Sequence, residues 1–294
     1  MVRTEILVRQ GADILVDDTT ATRYQLASIS KQFTAAAVLM LVEDGRVGLD
    51  DRLGRWFGEC PQQWRDITVD QLLTHTSGIG HWEDYPGIDL SLRIEPAEML
   101  AAVFREPLVH APGGPWRYSS PAYVLAAHIA ERAADRPYRR FLAERIFEPL
   151  GLTGTFAGMP DGQPDVADGH DADGKPVPSW ELDVVGMGAG DLWSTAADML
   201  TWIDAVRTGR LLSERHRALM LTERVPTGLA DPLATGYGYG VFTGTVAGRP
   251  WWQHSGDNAG FKAFIGCVPS TGRRVVLLSN TDATGPGAVR PYLE

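Results

Sequence analysis

Lysine is the residue this chain most nearly does without. Of 27 basic residues in 294 positions only Lys31, Lys175 and Lys262 are lysines; the rest are arginine. No run of four basic residues occurs, and the formal net charge is −10. That balance argues against nucleic acid or an anionic membrane as partner, because both select basic patches. Cysteine is scarcer still: Cys60 and Cys267 lie far apart and make no disulfide framework. The most apolar run, residues 33–42, is about half the roughly 20 residues that span a bilayer. No apolar stretch with a small-residue cleavage site follows Met1-Val2-Arg3-Thr4-Glu5, so no signal peptide is visible and a cytoplasmic protein is expected.

Several chemical signatures are also missing. There is no His-Glu-x-x-His pattern and no Cys/His cluster, which removes the usual zinc sites. A Gly-x-Ser-x-Gly elbow is absent, and with it the α/β-hydrolase arrangement. Neither Gly-x-Gly-x-x-Gly nor a Walker motif occurs, so no nucleotide cofactor is implied. The expectation is a protein without metal or cofactor.

What is present is an ordinary globular composition, 44% hydrophobic and 22% charged, in a chain long enough for one or two lobes. The scarcity of lysine sharpens one stretch, Ser28-Ile29-Ser30-Lys31. With 12 serines and three lysines, a chance Ser-x-x-Lys is expected about 0.12 times by composition alone. Arginine stays charged at any working pH, whereas a buried lysine can lose its proton and act as a base.

Along the chain, residues 5–16 read as a hairpin turning near Gln10-Gly11. A helix follows from Ser28 or Ser30 to Asp44, apolar on all sides and stopped by Gly45. Helical patterns broken by Pro/Gly loops occupy 51–185, with starts near Thr68, Pro96, Ser120-Pro121 and Pro137. Thr195 and Asp198 form a capping pattern for a later helix, and residues 241–246, 251–253, 261–268 and 274–279 have strand character. Strands at both ends imply an α/β domain formed by 1–50 and 186–294, with 51–185 a mostly helical domain and the active site between them.

Three motifs then line up: Ser28-x-x-Lys31; Tyr118-Ser119-Ser120 after Pro112-Gly113-Gly114-Pro115-Trp116-Arg117; and His254-Ser255-Gly256-Asp257. This order resembles the serine β-lactamase and penicillin-binding protein superfamily, in particular its class C β-lactamase-like branch of esterases, D-aminopeptidases, DD-peptidases and transacylases. Leu72-Leu73-Thr74-His75-Thr76-Ser77-Gly78-Ile79, Glu148-Pro149-Leu150-Gly151, Gly190-Asp191-Leu192-Trp193-Ser194-Thr195-Ala196 and Gly236-Tyr237-Gly238-Tyr239-Gly240 extend the likeness over nearly the whole chain.

The resemblance implies an α/β fold with a central antiparallel sheet of about five strands, flanked by helices, plus an all-helical lobe. It implies Ser28 as nucleophile, Lys31 as its base, Tyr118 as proton relay, and the backbone N–H groups of Ser28 and Asp257 as an oxyanion hole. His254 stands where relatives carry Lys or His, and would lend positive charge or a hydrogen bond near Tyr118. Ser255, Gly256, Trp82, Trp116 and Tyr237 are candidates to touch substrate. Ser120 departs from the family pattern, where Asn is usual; it serves as a helix cap or a substrate contact.

The implied activity is hydrolysis of a small ester or amide through an acyl-enzyme. Transfer of the acyl group to an amine or alcohol, or a catalytically silent sensor, are the competing readings. The tail 281–294 holds Gly285-Pro286-Gly287 and is too broken for a long helix. One sheet face would then need a replacement segment or a second copy, in a homo-oligomer, to cover it.

Overall fold

The computed structural model describes residues 1–293. Its centre is one antiparallel sheet of eight strands. In chain order these are β1 (Thr4–Gln10), β2 (Asp13–Asp18), β3 (Val225–Pro226), β4 (Gly236–Tyr237), β5 (Phe242–Val246), β6 (Arg249–Asn258), β7 (Phe261–Val268) and β8 (Arg273–Ser279). Their spatial order is β2-β1-β8-β7-β6-β5-β4-β3. The expected count of about five is therefore too low. The two-residue strands β3 and β4, at one edge, are too short to show alternation in sequence.

The N-terminal hairpin closes onto the end of the chain: Thr4 faces Ser279 and Gln10 faces Arg273 across the β1–β8 ladder. The regular structure within residues 51–185 is helical apart from isolated bridges and two-residue strands, with irregular loops over 106–119 and most of 151–185.

Helix α1 (Ser30–Glu43) is buried nearly all round, from Phe33 through Leu41. It ends where expected, with Gly45 at φ +67°. The polar residues near its start are buried too, and each has a partner. Ser30 Oγ accepts from Leu192 N–H at 3.0 Å, Gln32 Oε1 accepts from Trp202 Nε1 at 2.9 Å, and Thr34 Oγ1 donates to Gly188 O at 2.6 Å. Residues 188–192 are thereby tied to α1, which matters for the site. On the other flank α1 packs on α2 (Ser120–Ala134), also almost wholly buried.

The cap of α2 differs by one residue from the sequence expectation. Ser119, not Ser120, occupies the N-cap, and its Oγ accepts from Ala122 N–H at 3.1 Å while donating to Gly80 O at 2.8 Å. Ser120 becomes the first helical residue, and its hydroxyl is left for other work.

The outer sheet face is covered by the chain's own tail. A 3-10 segment, Pro286–Tyr292, places Val289 and Leu293 on Val8, Val275, Leu277 and Phe264. The replacement segment considered from sequence is present. Between it and β5–β7 lies a cavity of about 420 Å³, lined mainly by apolar side chains such as Leu233, Phe242 and Phe264, with Ser255 on its wall. Cys60 and Cys267 are both buried free thiols. No helix among the described residues is long and apolar enough to cross a membrane.

Candidate active site

Ser28 sits in a 3-10 turn, Ala27–Ile29, that runs directly into α1. Its predecessor Ala27 is held at φ +48°, a left-handed conformation that costs a non-glycine residue about 1–3 kcal/mol. Backbone bonds fix the turn: Leu26 N–H donates to Leu192 O at 2.8 Å, and Ile29 N–H to Leu26 O at 3.2 Å. Strand β6 presses on the same turn. A Cβ on Gly256 would lie 2.1 Å from the Leu26 carbonyl oxygen, so glycine is what allows this approach. Ser28 and Asp257 consequently line one cavity.

Lys31, one helical turn later, is fully buried. Its Nζ lies 3.1 Å from Ser28 Oγ, 3.1 Å from Ser120 Oγ and 2.8 Å from the Ala189 carbonyl oxygen. An ammonium would spend all three of its donors there. A neutral amine would donate to the carbonyl and one serine, leaving its lone pair to accept from the other hydroxyl. Burial pushes the Lys31 amine well below the ordinary lysine range, with buried Asp191 working against the shift. Asp191 is itself pushed up to about 7 by burial, and its carboxylate accepts from Gly188 N–H at 3.0 Å. That bond shapes the turn presenting Ala189.

Tyr118 lies under Lys31, with Nζ 4.8 Å from its ring centroid. Its hydroxyl is buried without a well-aligned hydrogen-bond partner. Burial raises the phenol's pKa, and the Ser28 hydroxyl is the group that tempers the rise. A free phenolate is therefore disfavoured. The ring is clamped by Phe242 (stacked, 6.4 Å), His75 (4.5 Å) and Trp116 (6.3 Å).

His254 corrects an expectation. Its ring is buried, and burial first, then Lys31, push it down to about 3, so it is neutral at working pH and supplies no positive charge. Its Nδ1 is 2.6 Å from the Ser255 carbonyl, which can only accept, so Nδ1 carries the proton. Nε2 then accepts from Tyr237 Oη at 3.2 Å. The pair props up the Tyr118 environment instead of reaching the phenol itself.

The cavity beside Ser28 measures about 60 Å³, small against the ~300–1,000 Å³ that buries a drug-sized ligand. Trp82, Ser120 and Asp257 line it as expected. Trp116 and Tyr237 do not: Trp116 packs on Tyr118, and Tyr237 is fully buried against His254. Ser255, on the strand between inward neighbours, lines the outer-face cavity instead, and Gly256 acts through its lack of a side chain. The outer cavity is larger but contains no nucleophile–base pair like Ser28 and Lys31, so size is the poorer guide here.

The structure adds wall residues that the sequence left unmarked, among them His81, Trp180, Glu181, Leu182, Ala189 and Asn258. His81 had a signal, lying two residues past the Thr74–Ile79 motif, and so had Asn258, which ends β6 directly after the His254–Asp257 motif; Trp180, Glu181, Leu182 and Ala189 come from a loop with no periodic pattern. His75, within the Leu72–Ile79 motif, accepts from Ser119 N–H through Nδ1 at 3.1 Å. Among the described residues no group of His, Cys, Asp and Glu is arranged to hold a metal ion.

Comparison with known proteins agrees with this fold. The family model described as Beta-lactamase matches residues 16–294. Esterase EstB of Burkholderia gladioli is 30% identical over 314 residues, covering 90% of this chain and 79% of the esterase. The octameric penicillin-binding protein homologue from Pyrococcus abyssi superimposes with TM-score 0.86 at 25% identity, over 98% of this chain and 72% of that one. D-amino acid amidase from Ochrobactrum anthropi SV3, solved with L-phenylalanine, gives TM-score 0.84 at 25% identity, over 96% and 86%.

Proposed function

This chain belongs to the beta-lactamase family, and from that premise we propose a serine acyl-enzyme hydrolase that cleaves a small ester or amide through Ser28. The observation that carries the reading is the Lys31 amine, buried, depressed in pKa and 3.1 Å from the Ser28 hydroxyl.

Neutral Lys31 takes the Ser28 proton as Oγ attacks the substrate carbonyl. The developing oxyanion is held by the backbone N–H groups of Ser28 and Asp257, which the Gly256 approach brings to one cavity. The proton then passes from Lys31 through the Tyr118 hydroxyl to the departing alkoxide or amine, and the Ser28 ester is left. Tyr118 acts as a neutral relay, in keeping with its raised pKa. Water, deprotonated by the same amine, hydrolyses the ester and returns Ser28.

The site lies at the seam of two regions. Ser28, Lys31 and Asp257 come from 1–50 and 186–294; Tyr118, Ser120 and His81 come from 51–185. Ester substrates fit best. Ser120 lacks the amide that family members use to hold a peptide-like carbonyl, and its hydroxyl is engaged by Lys31. The relative named an esterase supports the same preference.

Fluorophosphonate labelling followed by intact mass tests the reading. One adduct on the wild type, lost in Ser28→Ala, is expected. An unlabelled wild type, under conditions that label a working esterase, would show the scaffold to be catalytically silent.

A further inference from the structure

Lys262 is one of three lysines in the chain; of the others, Lys31 is the base in the function proposed above and Lys175 is exposed. The Lys262 ammonium lies between two carboxylates on the outer sheet face. It contacts Asp257 Oδ1 and is 2.8 Å from Asp282 Oδ1. The Lys262 side chain is 17% exposed and that of Asp257 76%. Burial works to lower the Lys262 pKa, but the two carboxylates outweigh it and hold the amine above the ordinary lysine range. Lys262 thus stays protonated at working pH, the opposite tendency to Lys31.

Strand register shows what this ammonium holds. A two-residue turn, Ala259-Gly260, joins β6 to β7, so the closing pair Asn258–Phe261 exchanges backbone hydrogen bonds. The next pair, Asp257–Lys262, is then a non-hydrogen-bonded one: its side chains lie close together and Asp257 directs its N–H and C=O away from β7. On that other side β5 pairs with β6 only as far as Gln253. The Asp257 N–H therefore points off a free sheet edge, and Asp257 lines the cavity it shares with Ser28. Its neighbours are fixed on the inner face, where Gly256 packs on the Leu26 carbonyl and Asn258 Nδ2 donates to Gly190 O at 3.3 Å. The Asp257 side chain has one anchor among the described residues, Lys262. The tie continues to Asp282, whose carboxylate accepts from Gly260 N–H in the turn at 3.2 Å.

We propose that Lys262 is a positioning residue for the oxyanion hole, holding the Asp257 N–H in place on the free edge through the Asp257 carboxylate. A strand edge without a neighbour has no ladder on that side to fix its backbone, and the tie to β7 and Asp282 takes over that task. Asp257 is too exposed for the ion pair to add much stability, so the effect falls on the chemical step. The inference rests on the acyl-enzyme reading of Ser28.

The test follows fluorophosphonate labelling by intact mass, with phenylboronic acid as the protecting agent. Each reagent, once Ser28 Oγ adds to it, puts an oxygen where the oxyanion forms. The proteins are wild type, Lys262→Met, Asp257→Ala and the double variant, each shown to be folded by thermal melts. Removing one oxyanion donor outright costs about 10²–10³ in rate, and displacing it costs less, about tenfold. Labelling should slow by about that factor in each single variant, and the boronic acid concentration that halves labelling should rise in step. The double variant should be no slower than either single one, because both substitutions break the same tie. Labelling and protection within about twofold of wild type in either folded single variant overturn the inference. Losses that multiply in the double variant do so too, since the two residues then act separately. Asp257→Ala tests the same tie should Lys262→Met not fold. A wild type that does not label, or labelling that persists in Ser28→Ala, sinks the acyl-enzyme reading and this inference with it. Ser28-dependent labelling that neither substitution slows sinks this inference alone.

Discussion

Replacing Lys31 by arginine keeps the positive charge and removes the chemistry. At pH 7 a guanidinium stays protonated, so no lone pair is available to Ser28. The space is equally unforgiving. Nζ has neighbours at 2.8, 3.1 and 3.1 Å in a fully buried position, and the larger planar head overpacks it by about 1–3 kcal/mol. Loss of a general base alone slows such a step by about 10²–10⁴. With misplacement added, the second-order rate of fluorophosphonate labelling should drop at least about 1,000-fold. Lys31→Ala should lie within about tenfold of it, since neither side chain can accept the proton. The assay samples the reaction over time by intact mass between pH 6 and 9, with thermal melts showing that each variant is folded. A folded Lys31→Arg labelling within about threefold of wild type would refute Lys31 as base.

Other substitutions separate the roles assigned here. Asp191→Asn removes the charge that holds the Lys31 pKa up, so the acid limb of the kcat/KM–pH profile should move to lower pH; a move to higher pH would contradict the assignment. Ser119→Ala should lower stability by about 0.5–2 kcal/mol in denaturant unfolding through loss of the α2 cap. Ser120→Ala should instead depress turnover with a smaller effect on stability, and the reverse pattern would restore Ser120 as the cap. Gly256→Ala forces β6 off the Leu26 carbonyl. A loss of about 1–3 kcal/mol together with a large fall in kcat is expected, and full activity would remove the Ser28–Asp257 oxyanion geometry.

Much of this molecule was legible where chemistry and local pattern coincide. The Ser28–Lys31 spacing, the all-apolar α1 and its Gly45 stop each state their role within a few residues. Tyr118 could be placed only through the family likeness, because nothing local marks a tyrosine that will meet a lysine 87 positions away. The misreadings share one cause. Ser120 and Ser119 are adjacent serines before Pro121, and a single-residue shift decides which one caps and which one faces Lys31. For His254 the sequence leaves positive charge or a hydrogen bond open, because its charge state depends on burial and on Lys31, both tertiary facts. Trp116 and Tyr237 lie near motifs in sequence yet stand behind Tyr118 instead of beside the cavity. The wall at 180–190 gave no signal, since irregular loops are positioned by contacts such as Thr34 to Gly188 and Ser30 to Leu192.

The pairing of β1 with β8 has a consequence during synthesis. The hairpin 4–18 leaves the ribosome ahead of its partner, with Ile14 and Leu15 about half exposed even in the finished protein, and the strand that zips along β1 is made some 260 residues later. At about 5–20 residues per second the ribosome leaves that hairpin waiting roughly 13–50 s as an open edge. A two-stranded ribbon is barely stable alone, and its unpaired side is a template for stray strands. Nascent chains of this protein are therefore vulnerable to aggregation until β8 is made, and a holdase acting on residues 4–18 over that interval would protect them.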